Sequence, residues 1–248
     1  MRVKISGIAI SVALALSMTG CATQANKDPL ESMNRGIYKF NDTADKAVIK
    51  PIAGAYKAVV PSPVRTGVNN FFTNLGTFTS LINNILQLEL GKAMDNAGRL
   101  VINSTIGIGG LIDVASMDDV PRHKADFGQT LGKWGVGSGA YLVLPFIGPS
   151  TFRDTAGLTV DTLYFDPIQY TNHVRVRNQL RLLSFIDLRS QYLPASDLID
   201  DAALDPYIFM REAYLQRREQ FVTGQASSEY DDFDDDDEEE TLPAPAAQ

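Results

Sequence analysis

The stretch TGVNNFFTNLGTFTSLINNILQL, residues 66–88, contains no charged side chain. A helix on the surface of a soluble protein normally exposes lysine and glutamate on its outer face. Here the polar positions carry only amides and hydroxyls, at Asn69, Asn70, Asn74, Thr79, Ser80, Asn83 and Asn84. An unpaired amide costs about 1–3 kcal/mol in an apolar environment, far less than an isolated ion. We therefore predict that this stretch is helical and that the body lies partly inside a lipid bilayer.

Two further segments, Leu100–Ile112 and Trp134–Phe152, also lack charge. None of the three offers the roughly 20 uninterrupted apolar residues that a membrane-spanning helix needs. Irregular backbone is tolerated at membrane depth only where protein covers it or where it faces a water-filled cavity. An ordinary buried core is the alternative explanation, and the sequence alone leaves it open.

Helix start signals dominate the first half of the chain. Asp28-Pro29 supplies an N-cap and a proline at the first helical position, and an amphipathic stripe follows as far as Ala47. Ser62-Pro63 opens a second helix, and the apolar repeat from Phe78 to Leu86 predicts a third.

The second half carries two more helix candidates. Val176–Tyr192 is one, and Asp205-Pro206 begins the other, with Arg217 and Arg218 near its end, where cations suit the helix dipole. No convincing alternation of period two and no repeat of fixed length is visible. These patterns predict an all-α fold, in one domain over residues 28–225.

A glycine cluster at Gly135, Gly137 and Gly139 precedes an apolar arm from Tyr141 to Ile147. Glycine permits unusual backbone angles and the close approach of neighbouring chain. We interpret the three glycines as a hinge and the arm as an irregular hairpin that Gly148-Pro149 turns back. A fixed glycine-rich turn packed on helices is the alternative. The residues assigned to the moving hairpin are Leu142, Leu144, Pro145 and Phe146.

The amino terminus resembles a lipoprotein signal. Basic residues and a short apolar run lead to Met18-Thr19-Gly20-Cys21, which resembles a lipobox. We predict a signal peptide over residues 1–20, a lipid anchor on Cys21, and a linker over residues 21–27. Because Ala22 is not the aspartate that marks retention in the inner membrane, the outer membrane is the expected location. An ordinary signal peptide with an accidental cysteine is the alternative.

Charge is concentrated at the carboxyl end. The formal net charge of -8 comes from an acidic run between Glu229 and Glu240 together with two basic residues of the signal, and the body between them is neutral. A neutral body without a basic stripe argues against nucleic acid as a partner. We predict that residues 226–248 form a disordered acidic tail. A tail that repels anionic head groups or attracts a basic partner is the sharper alternative.

Catalytic motifs are absent from the sequence. There is no Gly-x-Ser-x-Gly elbow, and the only histidines are the scattered His123 and His173. The segment Gly128–Trp134 lacks the spacing and the serine or threonine of a phosphate loop. No cluster has the ligand spacing of a metal site. We therefore predict no catalytic residues, no metal and no cofactor beyond a covalent lipid on Cys21.

Several blocks of this chain, taken together and in order, resemble the MlaA (VacJ) family of outer-membrane lipoproteins. They are Asp28–Glu31 with Asn34-Arg35 and Phe40-Asn41, Asn103–Gly107 with Gly110–Asp113, Phe127–Gly132, Leu144–Asp154, and Asp205–Tyr207 with Arg211–Tyr214. The resemblance runs from Asp28 to about Gln220, nearly the whole folded body. The acidic tail is not explained by it.

The resemblance implies an all-helical, ring-like protein embedded from the periplasmic side in the inner leaflet of the outer membrane. It implies a passive amphipathic channel that takes mislocalised phospholipid from the outer leaflet. The lipid would pass to a soluble periplasmic carrier like MlaC, with a trimeric porin as the scaffold. A structural lipoprotein that only docks on a porin or the cell wall is the alternative.

Overall fold

The computed structural model describes residues 28–196 and 203–224, and this part of the chain is mostly helical. The predicted signal peptide, Cys21, the linker and the acidic tail from residue 226 lie outside the described residues. The elements, in chain order, are α1 (Glu31–Ala44), a π-helical turn (Asp45–Ile49), α2 (Lys50–Val59), α3 (Ser62–Leu86), α4 (Leu90–Thr105), α5 (Val114–Met117), α6 (Phe127–Lys133), β1 (Tyr141–Leu144), β2 (Gly148–Thr151), α7 (Phe152–Val160), a second π-helical turn (Asp161–Phe165), a 3-10 turn (Pro167–Tyr170), α8 (Val174–Gln191) and α9 (Pro206–Thr223).

The first helix begins later than predicted. Its N-cap is Leu30, with no side-chain cap, so the prediction that Asp28 caps it is wrong. Asp28 is instead buried and accepts hydrogen bonds from Asn34 Nδ2 at 2.8 Å and from the Tyr207 hydroxyl. Its carboxylate is thus used to join the start of the chain to α9, a long-range contact that a local capping pattern does not reveal.

The second and third predicted helices are a single helix. Helix α3 starts at Ser62, as predicted, and continues for 25 residues to Leu86. Gly76 near its middle costs only about 1 kcal/mol relative to alanine and does not break it. The chain turns after Gln87, where Leu88 takes a positive φ of 61°.

The glycine-rich arm forms a small antiparallel hairpin. Strands β1 and β2 pair from Tyr141 with Thr151 to Leu144 with Gly148. Gly148 therefore lies in the second strand, and the turn consists of Pro145–Ile147 rather than the predicted Gly148-Pro149. The strands are only four residues long, too short to give a clear period-two signature in the sequence.

The two late helices match their start signals. Helix α8 covers the predicted segment except Tyr192, which is its C-cap, and Asp205 caps α9 by accepting hydrogen bonds from the Tyr207 and Ile208 amides. Arg218, however, does more than face the helix dipole. Its guanidinium pairs with Asp154 at 2.8 Å and with Asp126, which ties α9 to α6 and α7.

The interior of the protein is polar, and much of its surface is apolar. Among the described residues, the buried apolar cluster consists of Tyr141, Val143 and Tyr207, whereas the largest fully buried side chains are mostly asparagine and threonine. Exposed residues include many large aliphatic and aromatic ones, such as Phe78 and Ile85 on α3. This arrangement is the reverse of a soluble globule, in which exposed apolar area forms small patches. No helix within the described part of the chain is long and apolar enough to cross a membrane.

Candidate functional site

A cavity of about 250 Å³ opens between helix α3, the segment around residues 113–124, and the end of helix α8. Its lining residues are Asn69, Asn70, Thr73, Gly76, Thr77, Ser80, Asn96, Asp113, Arg122, His123, Lys124, Leu188, Gln191 and Tyr192. The set combines amides, hydroxyls and charged groups with two larger apolar side chains. Such a wall can hold a ligand that is polar at one end and apolar at the other.

Helix α3 supplies one wall through residues that recur every three or four positions. Thr73, Gly76, Thr77 and Ser80 share one helical face, and all four line the cavity. A Cβ atom added at Gly76 would meet nothing within 4 Å, because this position faces open space. The glycine thus widens the cavity at the middle of the helix.

A second wall consists of the consecutive basic residues Arg122, His123 and Lys124. The His123 backbone is fixed in both directions by Asn96, whose Nδ2 donates to the His123 carbonyl at 2.8 Å and whose Oδ1 accepts from the His123 amide at 3.2 Å. The His123 ring lies 2.9 Å from Asp95 Oδ2. Because Asn96 is fully buried, the basic segment is held on a fixed support.

Asp113 is the only carboxylate among the described lining residues, and its charge is balanced. Arg99, which is 3% exposed, forms an ion pair with it at 2.6 Å. Burial pushes the pKa of Asp113 upward, but hydrogen bonds from Ser116 and Asn103 and the charge of Arg99 outweigh burial and lower it. Asp113 therefore stays ionised and paired near neutral pH.

A buried polar network lies behind the wall formed by α3. Asn83 donates to Asp161 Oδ1 at 2.9 Å and accepts from the Thr130 hydroxyl at 2.8 Å, while the Phe127 amide donates to Asp161 Oδ2 at 2.8 Å. Burial raises the pKa of Asp161 to about 6, although these hydrogen bonds favour its ionised form. The network joins α3 to α6 and to the π-helical turn by hydrogen bonds between polar groups.

The predicted hairpin is attached to helix α1 by two amide clasps. Asn34 donates to the Tyr141 carbonyl at 3.0 Å and accepts from the Val143 amide at 2.9 Å. Asn41, two helical turns further on, donates to the Leu144 carbonyl at 2.9 Å and accepts from the Phe146 amide at 2.8 Å. These side chains satisfy the outer edge of β1, which a second strand would otherwise occupy.

The base and the tip of the hairpin differ in burial. Tyr141 and Val143 are buried against Tyr207, whereas Leu142 and Leu144 are half-buried and Pro145 is exposed. Phe146 is 57% exposed and packs edge-on against Phe40, with ring centroids 5.2 Å apart. The base is thus part of the core, and the tip presents an apolar aromatic pair.

The predicted hinge glycines fall into two kinds. Gly135 and Gly139 have positive φ angles of 90° and 69°, which other residues rarely adopt. Gly137 has no positive φ, and an added Cβ there would meet nothing within 4 Å. A backbone requirement for glycine therefore exists at two of the three positions, and movement about them stays a prediction.

The sequence did not identify the cavity, because three segments far apart in the chain form it. Two signals pointed towards it: small and hydroxyl residues at helical spacing within an uncharged stretch, and three adjacent basic residues in an otherwise neutral body. No group of residues suited to a metal ion occurs within residues 28–196 and 203–224. His123 lies in the loop between α5 and α6, and His173 lies directly before α8.

A family model described as MlaA lipoprotein matches residues 26–221. The intermembrane phospholipid transport system lipoproteins MlaA of Shigella flexneri and of Escherichia coli strain K12 are each 36% identical over 233 residues, with 90% of both chains covered. The MlaA of Haemophilus influenzae is 35% identical over 216 residues, covering 82% of this chain and 84% of its own.

The fold is similar to that of a chain solved in work on the structural basis for maintenance of bacterial outer membrane lipid asymmetry. The TM-score is 0.70 at 37% identity, with coverage of 79% of this chain and 98% of the other. The prediction of an all-α, ring-like domain is thereby confirmed, while the predicted irregular hairpin is a short two-stranded sheet. Since the family model and these relatives match along most of their length, the chain belongs to the MlaA lipoprotein family.

Proposed function

We propose that the protein is an outer-membrane lipoprotein that removes mislocalised phospholipid from the outer leaflet and so maintains lipid asymmetry. The observation that carries this proposal is the reversed packing of the body, in which amides and ions are buried, a cavity is lined mainly by polar side chains, and large apolar side chains face outward. Such a body is suited to hydrocarbon on the outside and to a polar group within. Related chains are named for intermembrane phospholipid transport, which agrees with this reading.

The cavity offers a path for the head group. Moving an isolated ion into hydrocarbon costs on the order of tens of kcal/mol by Born estimates. A wall of amides, hydroxyls and paired ions replaces the hydration shell of the head group and lowers this barrier. The acyl chains can remain in the bilayer or against apolar side chains such as Leu188 and Tyr192. The step needs no covalent chemistry, so the protein acts as a conduit and not as an enzyme.

The amino-terminal lipid on Cys21 would keep the body at the membrane. Each methylene buried in the bilayer contributes about 0.8 kcal/mol, so that two or more acyl chains anchor a protein stably. We place the body in the inner leaflet, embedded from the periplasmic side. Lipid would leave it for a soluble periplasmic carrier, and a trimeric porin would hold it in position. These partners are implied by the family resemblance.

The hairpin is the proposed gate beside the path. Because Asn34 and Asn41 bind β1 and the following turn to α1 through four hydrogen bonds, movement at the predicted glycine hinge requires these bonds to break. The outer clasp at Asn41 is closer to solvent and should open first. Leu142, Leu144, Pro145 and Phe146 would then move relative to α1.

A cavity-filling variant tests the conduit. Gly76→Leu places a side chain in the open space of the cavity, and Gly98→Leu on α4 is the matched control, since an added Cβ there also meets nothing within 4 Å. Lipidated protein is reconstituted into asymmetric vesicles with the carrier, and the loss of labelled phospholipid from each leaflet is followed. We expect at least a tenfold slower transfer for Gly76→Leu and little change for Gly98→Leu. Equal rates for both variants would favour the purely structural role.

A further inference from the structure

We propose that Asn70 and Gln191 select the head group of the cargo, because their side-chain oxygens are placed to accept hydrogen bonds from a protonated primary amine in the cavity. The phospholipid that fits this site has a zwitterionic head group with N–H donors, as in phosphatidylethanolamine. This inference rests on the proposed function and adds to it a preference among cargo lipids. Both residues line the cavity, Asn70 from α3 and Gln191 from the last position of α8.

The orientation of the Gln191 amide is fixed by Asp187, one helical turn earlier. Asp187 is 3% exposed, and its carboxylate accepts hydrogen bonds from the Tyr56 hydroxyl at 2.9 Å and from Gln191 Nε2 at 2.8 Å. An ionised carboxylate has no proton to donate, so only the NH2 end of the Gln191 amide can face it. Within the described part of the chain, Gln191 Oε1 accepts no hydrogen bond, and this exposed side chain can therefore offer it to a ligand.

The Asn70 amide is oriented in the same way by the protein backbone. Asn70 Nδ2 donates a hydrogen bond to the Leu111 carbonyl at 3.2 Å. Because a carbonyl can only accept, the NH2 end of the amide must face it, and Asn70 Oδ1 has no donor among the described residues. Two amides from different elements thus use their N–H groups within the protein and leave their oxygens to the cavity.

Two hydroxyl groups of the same wall add to this excess of acceptors. The Thr77 hydroxyl donates to the Thr73 carbonyl at 2.9 Å, and the Thr73 hydroxyl donates to Asn69 Oδ1 at 3.4 Å. A hydroxyl whose proton is engaged keeps lone pairs that can accept a hydrogen bond. The α3 wall therefore suits a ligand that supplies several donors.

The charged lining residues are compatible with a zwitterionic ligand. Arg122 and Lys124 each have an interaction partner within the protein, and Asp113 is paired with Arg99. A zwitterionic head group adds no net charge to this lining, so hydrogen bonds decide its recognition. A primary ammonium offers three N–H donors to the amide oxygens, whereas a trimethylammonium of the same charge offers none.

Phosphatidylethanolamine and phosphatidylcholine test the inference, because their head groups carry the same charges and differ in N–H donors. The vesicle assay compares the transfer rates of the two labelled lipids. The variant Asn70→Leu/Gln191→Met removes both acceptors at similar side-chain volume. The matched control is Asn178→Leu/Gln179→Met, at exposed positions of α8 that do not line the cavity.

We expect the wild type and the control to transfer phosphatidylethanolamine at least fivefold faster than phosphatidylcholine, because hydrogen bonds from a charged donor are the stronger ones. In Asn70→Leu/Gln191→Met this ratio should fall to about one. Gln191→Met alone, at an exposed position, should lose part of the ratio, which shows that the effect does not come from misfolding. Equal rates for both lipids in the wild type would overturn the inference and leave the conduit intact. An unchanged ratio in the double variant, or an equal loss in the control, would also overturn it.

Binding to the detergent-solubilised full chain separates this inference from the proposed function. The ligands are dihexanoyl phosphatidylethanolamine, dihexanoyl phosphatidylcholine and free phosphoethanolamine. We expect the first to bind at least fivefold more tightly than either of the others, and Asn70→Leu/Gln191→Met to abolish its advantage over the second. Phosphoethanolamine that binds as tightly as the lipid would overturn the assignment to lipid head groups, and equal affinity for both lipids would overturn the preference. A wild type that keeps this preference in binding but moves no lipid would contradict the proposed function alone.

Discussion

The hairpin base and the region behind the cavity wall are two buried regions that differ in their share of apolar packing. At the base of the hairpin, Tyr141, Val143 and Tyr207 form an apolar cluster, with the two tyrosine rings in edge-to-face contact. Behind the cavity wall, Asn83, Thr130 and Asp161 are buried and joined by hydrogen bonds. The first region contains an apolar cluster, and the second is held together by hydrogen bonds between polar groups.

This difference indicates which of the two regions has residues that serve function and not only stability. Buried polar groups stabilise a protein only when all of them are paired, and an unpaired one is costly. Apolar residues behind the wall of α3 would need no hydrogen-bond partners. We infer that the interior is polar because the cavity must accept a polar group, whereas the hairpin base has a structural role only.

The largest effect is expected where the two kinds of packing meet, at Asn34. Asn34→Ala removes the clasp from the buried Tyr141 carbonyl and Val143 amide and one donor from Asp28. We expect the free energy of unfolding to fall by about 3 kcal/mol, since buried polar groups are left unpaired. Urea unfolding in detergent measures it. A loss below about 1 kcal/mol would mean that water replaces the clasp.

The polar region should respond to pH through Asp161. Its pKa in the folded protein is raised to about 6, so the folded state holds the proton more tightly than the unfolded chain. Stability contributed by the protonated form is therefore lost as the pH rises from about 4 to 6, by on the order of 2 kcal/mol. Asp161→Asn should remove this slope.

Denaturant unfolding at several pH values measures the unfolding free energy of the wild type and of Asp161→Asn. Asp154, near the hairpin base, has the opposite shift, so the stability that it contributes is lost as the pH falls. Burial raises the pKa of Asp154, but pairing with Arg218 and Arg153 lowers it below its usual value. An identical slope in wild type and Asp161→Asn would locate the titration elsewhere.

A smaller effect is expected at the outer clasp. Asn41→Ala frees the Leu144 carbonyl and the Phe146 amide near the exposed tip, where water can replace it. We expect a loss of about 1 kcal/mol in unfolding free energy. Hydrogen exchange at the Phe146 amide should rise by more than tenfold while the Val143 amide stays protected. Equal acceleration at both amides would show that the hairpin opens as one unit.

The smallest effect is expected when a helix glycine is replaced by alanine, which changes helix propensity but barely changes the shape of the cavity. Gly76→Ala and Gly98→Ala each replace a glycine inside a helix, with open space for the added Cβ. Both should raise the unfolding free energy by about 0.5–1 kcal/mol, the difference in helix propensity. Thermal unfolding in detergent checks it. Destabilisation by Gly76→Ala alone would mean that the helix needs glycine for its packing.

The sequence predicted those features that depend on local signals. Ser62-Pro63 and Asp205-Pro206 marked helix starts correctly, and the uncharged stretch indicated that α3 is unusual. Asp28 was misassigned because its carboxylate binds residues more than 170 positions away. The hairpin strands were too short to give a pattern. The cavity residues could not be predicted, because the local sequence of an uncharged helix does not indicate which of its faces lies towards the interior.

The central claim is that helix α3 has one face in lipid and one face towards a wet cavity. Ile85 lies on the outer side and is 48% exposed, while Gly76 faces the cavity. Since Cys21 is the only native cysteine and is predicted to be acylated, Ile85→Cys and Gly76→Cys each introduce one spin-labelling site. The labelled proteins are reconstituted in bilayers, and their accessibility to oxygen and to a water-soluble nickel chelate is compared. The account predicts that the label at position 85 is reached by oxygen and shielded from nickel, and that the label at position 76 shows the reverse. Nickel access at both positions would contradict it.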